Sequence, residues 1–460
     1  MKNRKRTKMK IGIEVHIQLP TQTKMFCRCK NPSTTTETEP NTFTCENCLG
    51  LPGSKPVLNK EAVFQAIKLA LALKCNINKE SFFSRKTYFY PDLPKNFQIT
   101  QYEIPIAENG FLKNIRIRRL HLEEDPGRLI HEGSSTLIDY NRSGIPLVEL
   151  VTEPDFKSPA EVREFLKELL SLLAYLQIYT RTSEASLRTD ANISTTGERV
   201  EVKNITGLRD VEKALNYEAK RQQQEVTDIQ QTRSWIPDKQ ITILTRTKET
   251  EEDYGYIFEP DLTKIEITQK QISNIKKSLP ELATEKTKRF TKEYKIELED
   301  AKTLTSELLL AELFEKTAQK ISPKLAAKWL RREIPRVLNY NKKSIHDLEI
   351  DETHLIELLN LLETKQITEN TAKKILEKLI EKPFRPSEYI KKQNLTVISK
   401  SSEIEKYCKE SIKKNPQAVE DYKKGNENAL NFLIGYVMKK TRGQASHEEL
   451  IKIFKKLING

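Results

Sequence analysis

A chain of 460 residues is too long for one compact core, and at about 150 residues per domain roughly two to four units are expected. With 37% hydrophobic and 31% charged residues, and no stretch near the roughly 20 apolar residues that span a bilayer, a membrane protein is not expected. The formal net charge of +13 favours a polyanionic partner, since neutralised phosphates release condensed counterions.

Met1 to Lys10 is basic but has no apolar core followed by a cleavage site, so no secretory signal is read and a cytoplasmic protein is expected. From Ile11 to Leu19, the apolar Ile11, Ile13, Val15, Ile17 and Leu19 alternate with Gly12, Glu14, His16 and Gln18, which predicts a strand. Its polar face carries Glu14, His16 and Gln18 at steps of about 7 Å, as a solvated surface or as part of a site. A cysteine window follows, with Cys27 and Cys29 in CRC and Cys45 and Cys48 in CENC. Four thiolates so grouped suit tetrahedral zinc and leave no coordination position open, so a structural role is expected. Cys75 and Cys408 stand apart and read as ordinary thiols.

Lys60 to Lys74 predicts a helix with Val63, Ile67, Ala70 and Leu71 down one face. Lys86 and Lys95 bracket the aromatic segment TYFYPDLP, and HLEEDPG places Glu123, Glu124 and Asp125 before a Pro126-Gly127 turn. Within NRSGIPLVELVTEPD, Glu149 interrupts the apolar stretch Leu147 to Val151, where an unpaired carboxylate is costly to bury and a divalent cation would offset the cost. These acids and lysines form a set suited to magnesium and a nucleotide, with scattered surface ion pairs as the alternative. Ser158 to Ile178 predicts a second helix, with Ser158, Pro159 and Glu161 as N-cap, first-turn and capping-box residues and Val162, Phe165, Leu166, Leu169 and Leu173 on its apolar face.

SEASLRTDANIS and RVEVKNITG then bring Ser186, Arg188, Asp190, Glu201, Lys203 and Asn204 into a short span. Arg188 and Lys203 could hold phosphates or an acyl group, and a salt-bridged hairpin is equally consistent with the pattern. Up to about Leu279 the chain reads as α+β; beyond Pro280 it reads as helical, with apolar residues at helical spacing in Ser322 to Leu338 and Thr353 to Ile380. A composition shift at Lys392 to Ser402 marks a small helical module at the end, so the expected domains are 1–282, 283–398 and 399–460. Gly50, Gly53, Ser54 and Lys55 have the wrong spacing for a P-loop, and Gly133-Ser134-Ser135 is too little to support a serine amidase.

Taken in order, IGIEVHIQL, RKTYFYPDLPK, FQITQYEIPI, HLEEDPG, DYNRSGIPLVELVTEPD, SLRTDANIS and EVKN resemble the motif series of the GatB family, the B subunits of tRNA-dependent amidotransferases. The likeness continues through DYGYIFEPDL and VEDYKKGNENALNFLIGYVMKKTRGQA and so covers almost the whole chain. It implies a catalytic cradle domain related to glutamine synthetase and guanidino kinases, a helical domain, and a helical tail that contacts tRNA. It further implies a ligase that uses ATP to phosphorylate the side-chain carboxylate of Glu-tRNA(Gln) or Asp-tRNA(Asn), with ammonia supplied by the glutaminase subunit GatA and with GatC completing a heterotrimer. Carried onto this sequence, Glu14, His16, Glu124 and Glu149 would surround magnesium and the nucleotide, and Lys86 and Lys95 would stabilise phosphate or acyl oxygens. The chain departs from the family pattern at Pro126, Ala185, Thr206, Gly207 and Gly255.

Two other readings compete with this one. A non-catalytic, zinc-containing tRNA-binding protein explains charge and cysteines, but not an acid inside an apolar strand. A synthetase-like ligase would release AMP and diphosphate, whereas the amidotransferase reading requires ADP and phosphate.

Overall fold

The computed structural model describes residues 9–34, 39–179, 187–226, 228–247, 255–397, 401–441 and 443–459. They fall into two compact units, Met1–Leu282 and Ala283–Gly460.

The first unit begins with β1 (Lys10–Gln18), α1 (Lys60–Ala72), β2 (Asn76–Ile77), β3 (Glu80–Ser81), β4 (Ser84–Thr87), β5 (Phe97–Thr100), β6 (Ala107–Leu112) and β7 (Ile115–Glu124). The hairpin β8 (Arg128–Glu132) and β9 (Ser135–Asp139) precedes β10 (Pro146–Thr152) and α2 (Pro159–Leu176). Then come β11 (Leu187–Ser194), β12 (Val200–Thr206), α3 (Leu208–Gln224), β13 (Gln231–Ile236), β14 (Ile241–Thr247), β15 (Gly255–Phe258), β16 (Ile265–Glu266) and α4 (Gln269–Lys277). One large sheet runs in the order β14-β13-β12-β11-β1-β10-β7-β5-β4-β15, with β6 also paired to β7 and β2 to β6. Its neighbours are antiparallel except β12 and β13, which α3 joins as a crossover.

Alternation makes this sheet two-faced. In β1 the apolar Ile11, Ile13, Val15 and Ile17 are essentially wholly buried, so Glu14 and His16 must point the other way. Helix α1 packs over β6 and β7, α3 over β11, β12 and β14, and α2 touches both helices, so all three cover the apolar face. Ser158 caps α2 by accepting from the Glu161 N–H, and Gln177 closes it in the left-handed conformation. Val162, Phe165, Leu166, Leu169 and Leu173 are buried as expected. The buried stripe of α1 differs from the expected one: Ala62, Ala66, Ile67, Leu69 and Ala70 are buried, whereas Val63 and Leu71 lie at its half-exposed margin. Small alanines let the helix sit close to the sheet.

The second unit is helical: α5 (Ala283–Glu293), α6 (Leu298–Thr305), α7 (Leu308–Ala318), α8 (Pro323–Lys328), α9 (Ile334–Tyr340), α10 (Glu352–Glu363), α11 (Glu369–Glu381) and α12 (Pro386–Gln393). It ends with α13 (Ser401–Lys414), α14 (Pro416–Lys423), α15 (Glu427–Lys440) and α16 (His447–Asn459). A wide π turn at Trp329–Glu333 separates α8 from α9, where Pro335 lacks an N–H and would crowd the carbonyl one regular turn earlier. The helical pattern of Thr353 to Ile380 is broken at Lys365, which adopts positive φ, before Thr368 caps α11. This unit holds two apolar clusters, one around Phe290, Phe314, Trp329 and Leu376 and one around Ile404, Leu433, Val437 and Phe454. Among the described residues no helix is long and apolar enough to cross a membrane.

A buried ionic knot fastens α3 to the sheet. Glu218, fully buried, accepts from Arg221, Gln222 and Thr242 and lies 3.7 Å from Arg233. Glu218→Ala leaves both arginines beside an empty acceptor, and a loss of about 3 kcal/mol or more is expected in denaturant melts. An unchanged midpoint would show that the knot contributes nothing.

Candidate active site and cysteine cluster

The polar face of the sheet is organised by cross-strand register. His16 in β1 stands opposite Glu149 in β10, and Glu149 stands opposite His121 in β7. Glu149 therefore lies between two imidazoles, with its own strand neighbours Val148 and Leu150 buried on the far face. Its Oε2 lies 3.3 Å from His16 Nε2 and 3.5 Å from His121 Nε2. Glu123, two residues beyond His121, comes within 3.7 Å of His16 and 3.8 Å of His121. One ligand atom from each of His16, Glu123 and Glu149 can be chosen so that all lie within 4.8 Å of one another, a grouping able to hold a metal ion.

Burial alone would raise the pKa of Glu149, but the charges of His121, His16 and Arg119 more than offset it and hold the carboxyl well below the usual range. The counterpart is His16: burial lowers it, yet the hydrogen bond and charge of Glu149, with Glu123 and Asp190, raise it to about 9. Glu14 is raised to about 7 by burial and by the repulsion of Glu149, Glu201 and Asp190. Acids on four neighbouring strands thus repel one another across one face. This is the electrostatic condition that a cation relieves.

Most residues singled out in the sequence share this face. Glu14 stands opposite Asp190, His16 opposite Arg188, and Asn192 opposite Glu201 in the β1–β11–β12 ladder. Lys203 lies 3.4 Å from Glu201. Asn204 sits at a bulge in β12 with φ 61° and hydrogen-bonds Ser234 at the exposed rim. Lys86 stands opposite Tyr256, whose phenol is raised chiefly by burial and by the stacked Tyr102, with Glu149 and Glu123 adding to it. Ser186 lies outside the described residues.

Glu124 and Lys95 belong elsewhere. Strand parity puts His121 and Glu123 on the polar face and Glu124 off it, where Lys95 Nζ donates to both its carboxylate oxygens at 2.5 and 2.6 Å. The pair is largely buried, with side chains 12% and 5% exposed, and Lys95 also lies 5.6 Å from the ring of Phe97. Glu123 therefore takes the place expected of Glu124, and Lys95 serves as the structural counter-ion of Glu124. Three successive acidic residues do not reveal which one faces inward. The signal that could have done so is His121, since its parity with Glu123 and its register with Glu149 settle the face.

Asp125 has a role that the sequence does not disclose. Its side chain is wholly buried and accepts from Gln18 Nε2 at 2.7 Å and Arg188 at 2.6 Å, with Arg142 at 3.9 Å. The charge on Arg188 is thus positioned and partly neutralised before any ligand arrives.

The cysteine cluster lies next to this region. The Sγ atoms of Cys27, Cys29, Cys45 and Cys48 are all within 4.8 Å of one another and could hold a metal. Cys48 Sγ accepts from the Cys45 N–H at 3.0 Å, and its pKa falls to about 5, chiefly because Cys27 donates to it, with the Lys24 charge assisting. The loop is tied to the turn before β10: Met25 N donates to Gly144 O at 2.7 Å and Ser143 Oγ to Cys48 O at 3.2 Å. Gly144 adopts φ 85°, which allows this close turn. Arg142 of the same turn donates to the carbonyls of Pro126 and Gly127. Cys75 and Cys408 are buried and apart from the cluster.

Residues 9–273 match the family described as the GatB/GatE catalytic domain, and residues 312–458 that described as the GatB domain. The chain is 43% identical over 451 residues to the B subunit of the aspartyl/glutamyl-tRNA(Asn/Gln) amidotransferase of Thermotoga petrophila, covering 92% of this chain and 94% of the relative. The corresponding B subunits of Caldanaerobacter subterraneus and Clostridium tetani are 43% and 41% identical over 436 and 444 residues, spanning 90% and 92% of this chain and 92% and 93% of theirs. From its first described strand to its last helix, the chain belongs to the GatB family.

Proposed function

We propose that this chain is the subunit of a tRNA-dependent amidotransferase that activates the side-chain carboxylate of Glu-tRNA(Gln) or Asp-tRNA(Asn) for amidation. The observation that carries the reading is the close grouping of His16, Glu123 and Glu149 on the polar face of the sheet. A carboxylate is a poor electrophile. Its oxygen attacks the terminal phosphorus of ATP, the bond to the β-phosphate oxygen breaks, and ADP leaves an acyl phosphate behind. Ammonia then attacks the carbonyl carbon, phosphate departs, and the amide remains.

The donor set fits a divalent cation, because two carboxylates and an imidazole converge where the buried negative charge is otherwise only partly offset. Glu123 and Glu149 are the oxygen ligands that magnesium prefers, with His16 beside them as ligand or as hydrogen-bond donor to a carboxylate. When bound, magnesium would neutralise charge on the transferred phosphoryl oxygens. Arg188, positioned by Asp125, and Lys203 face the same ground and suit phosphate or acyl oxygens. The four cysteines suit structural zinc, which would brace the turn that leads into β10.

The cradle description fits a two-faced sheet with helices on one side and the acids on the other. The two apolar clusters of the second unit support a helical domain at 283–398 and a tRNA-binding tail at 399–460. Ammonia would come from a GatA glutaminase held with GatC in a heterotrimer, in the cytoplasm where aminoacyl-tRNA is used. A purely tRNA-binding role leaves Glu149, buried between two histidines, without a purpose.

Glu149→Gln is expected to abolish ADP release and amidation, by at least about 100-fold, because even residues that only support a metal ligand cost about 10–100-fold. Its tRNA affinity should stay near that of the parent, and retained amidation would remove the acid cluster from the reaction. Because Glu14 at about 7, and His16 at about 9 where it serves as a ligand, shed protons as a cation binds, divalent affinity should rise from about pH 6 to about pH 9. Calorimetric titration with manganese at the two ends of that range checks it, and a flat affinity contradicts it. Cys45→Ser should purify without zinc and melt well below the parent, since a structural zinc can supply about 10 kcal/mol of apparent folding free energy. Parent protein that contains no zinc by elemental analysis would refute the assignment.

A further inference from the structure

Arg119 has no part in the metal or nucleotide contacts described above. It lies on β7 two residues before His121 and four before Glu123, so alternation points it to the same polar face. Its cross-strand neighbours are Val151 in β10 and Glu108 in β6. The nearby Arg116 and Arg118 are each gripped by two nitrogens, by Asp155 and by Glu153. Arg119 differs from both: among the described residues its side chain has no hydrogen bond or ion pair, and its Nε is out of solvent without a partner. Its strand β7 lies between β10, which carries Glu149, and the run β5-β4-β15, where Tyr256 of β15 stacks on Tyr102 with rings 3.9 Å apart, and its charge acts on both Glu149 and Tyr256.

A buried guanidinium N–H without an acceptor is unfavourable, and its planar fork matches the paired oxygens of a carboxylate or a phosphate. The acid cluster beside it repels anions, so an anionic substrate needs a cation at this rim. Arg188 and Lys203 stand across β1 from this rim, on β11 and β12, and Lys95 is held by Glu124. We propose that Arg119 binds an oxyanion of the substrate at the tyrosine side of the acid cluster, either the terminal phosphate of the nucleotide or the free side-chain carboxylate of the amino acid esterified to tRNA. The inference rests on the amidotransferase reading and assigns that site one of its anion contacts.

The test uses the subunit assembled with its glutaminase partners, as parent, Arg119→Gln and Arg119→Lys. Two quantities are measured: steady-state KM and kcat for ATP and for glutamyl-tRNA, and direct binding of a nonhydrolysable ATP analogue and of glutamyl-tRNA. The glutamine variant should weaken one ligand by about 10-fold or more, as expected for loss of a charge-assisted contact of about 1.5–3 kcal/mol. The lysine variant should recover part of that loss, and both should melt within a few degrees of the parent. A rise confined to ATP assigns the phosphate, and one confined to glutamyl-tRNA assigns the carboxylate. If the parent releases ADP while the glutamine variant binds and turns over equally, Arg119 has no such role, although the amidotransferase reading stands. If the parent releases no ADP yet analogue binding still depends on Arg119, that reading fails alone. A large fall in melting temperature in both variants would assign Arg119 to packing and overturn the inference.

Discussion

An ionised carboxylate in the middle of a sheet is the constraint around which the first unit is arranged. Glu149 sits in β10 between Val148 and Leu150, in a strand that must remain apolar on its other face to bury α1, α2 and α3. Water alone does not stabilise its charge, because two histidines stand within 3.5 Å of it, one from each flanking strand. The order β1-β10-β7 is therefore an electrostatic arrangement as well as a topological one. Moving either neighbour by one residue would turn its histidine into the core and leave Glu149 with only one of its two partners.

The rest of the site is held in place from behind. Asp125 follows directly on β7, and its side chain joins Gln18 of β1 to Arg188 of β11 across the intervening strands. Its backbone bonds to Gly144 and Ile145 bring the turn before β10 against the end of β7. The cysteine loop grips that same turn through Met25 and Ser143. A metal in the cysteines would thus act at a distance, by fixing the register in which Glu149 meets its histidines.

Much of this was legible in the sequence, for reasons that differ between elements. The alternation of Ile11 to Leu19 fixed both faces of β1 at once, because a period of two leaves no freedom once one face is apolar. The same reasoning isolated Glu149, whose neighbours are too apolar for a surface strand. It failed at Glu123 and Glu124, where the strand ends in consecutive acids and the parity is set by pairing with β10, a contact distant in sequence. It failed also at Lys95, a lysine in a motif of the kind that binds phosphate, which the fold uses to neutralise Glu124. Asp125 was hidden for a related reason: its partners Gln18 and Arg188 come from strands far away in the chain. In the helical half, the stop at Lys365 was missed because the apolar spacing continues across it, and a single residue in the left-handed conformation resets the direction.

Among the described residues the sheet is open, and apolar side chains are exposed at both ends. On one side it finishes with β14, which exposes Ile243 at 43% and Leu244 at 44% beside Thr245, Arg246 and Thr247. On the other it finishes with β15, which is only four residues long yet exposes Ile257 at 55% and Phe258 at 48%. A border that greasy would invite a second chain to zip onto it if it were long, but four residues offer few amides for such pairing. Brevity here does the protective work, and lengthening that strand by even a few β-forming residues would turn a tolerable margin into an aggregation seam.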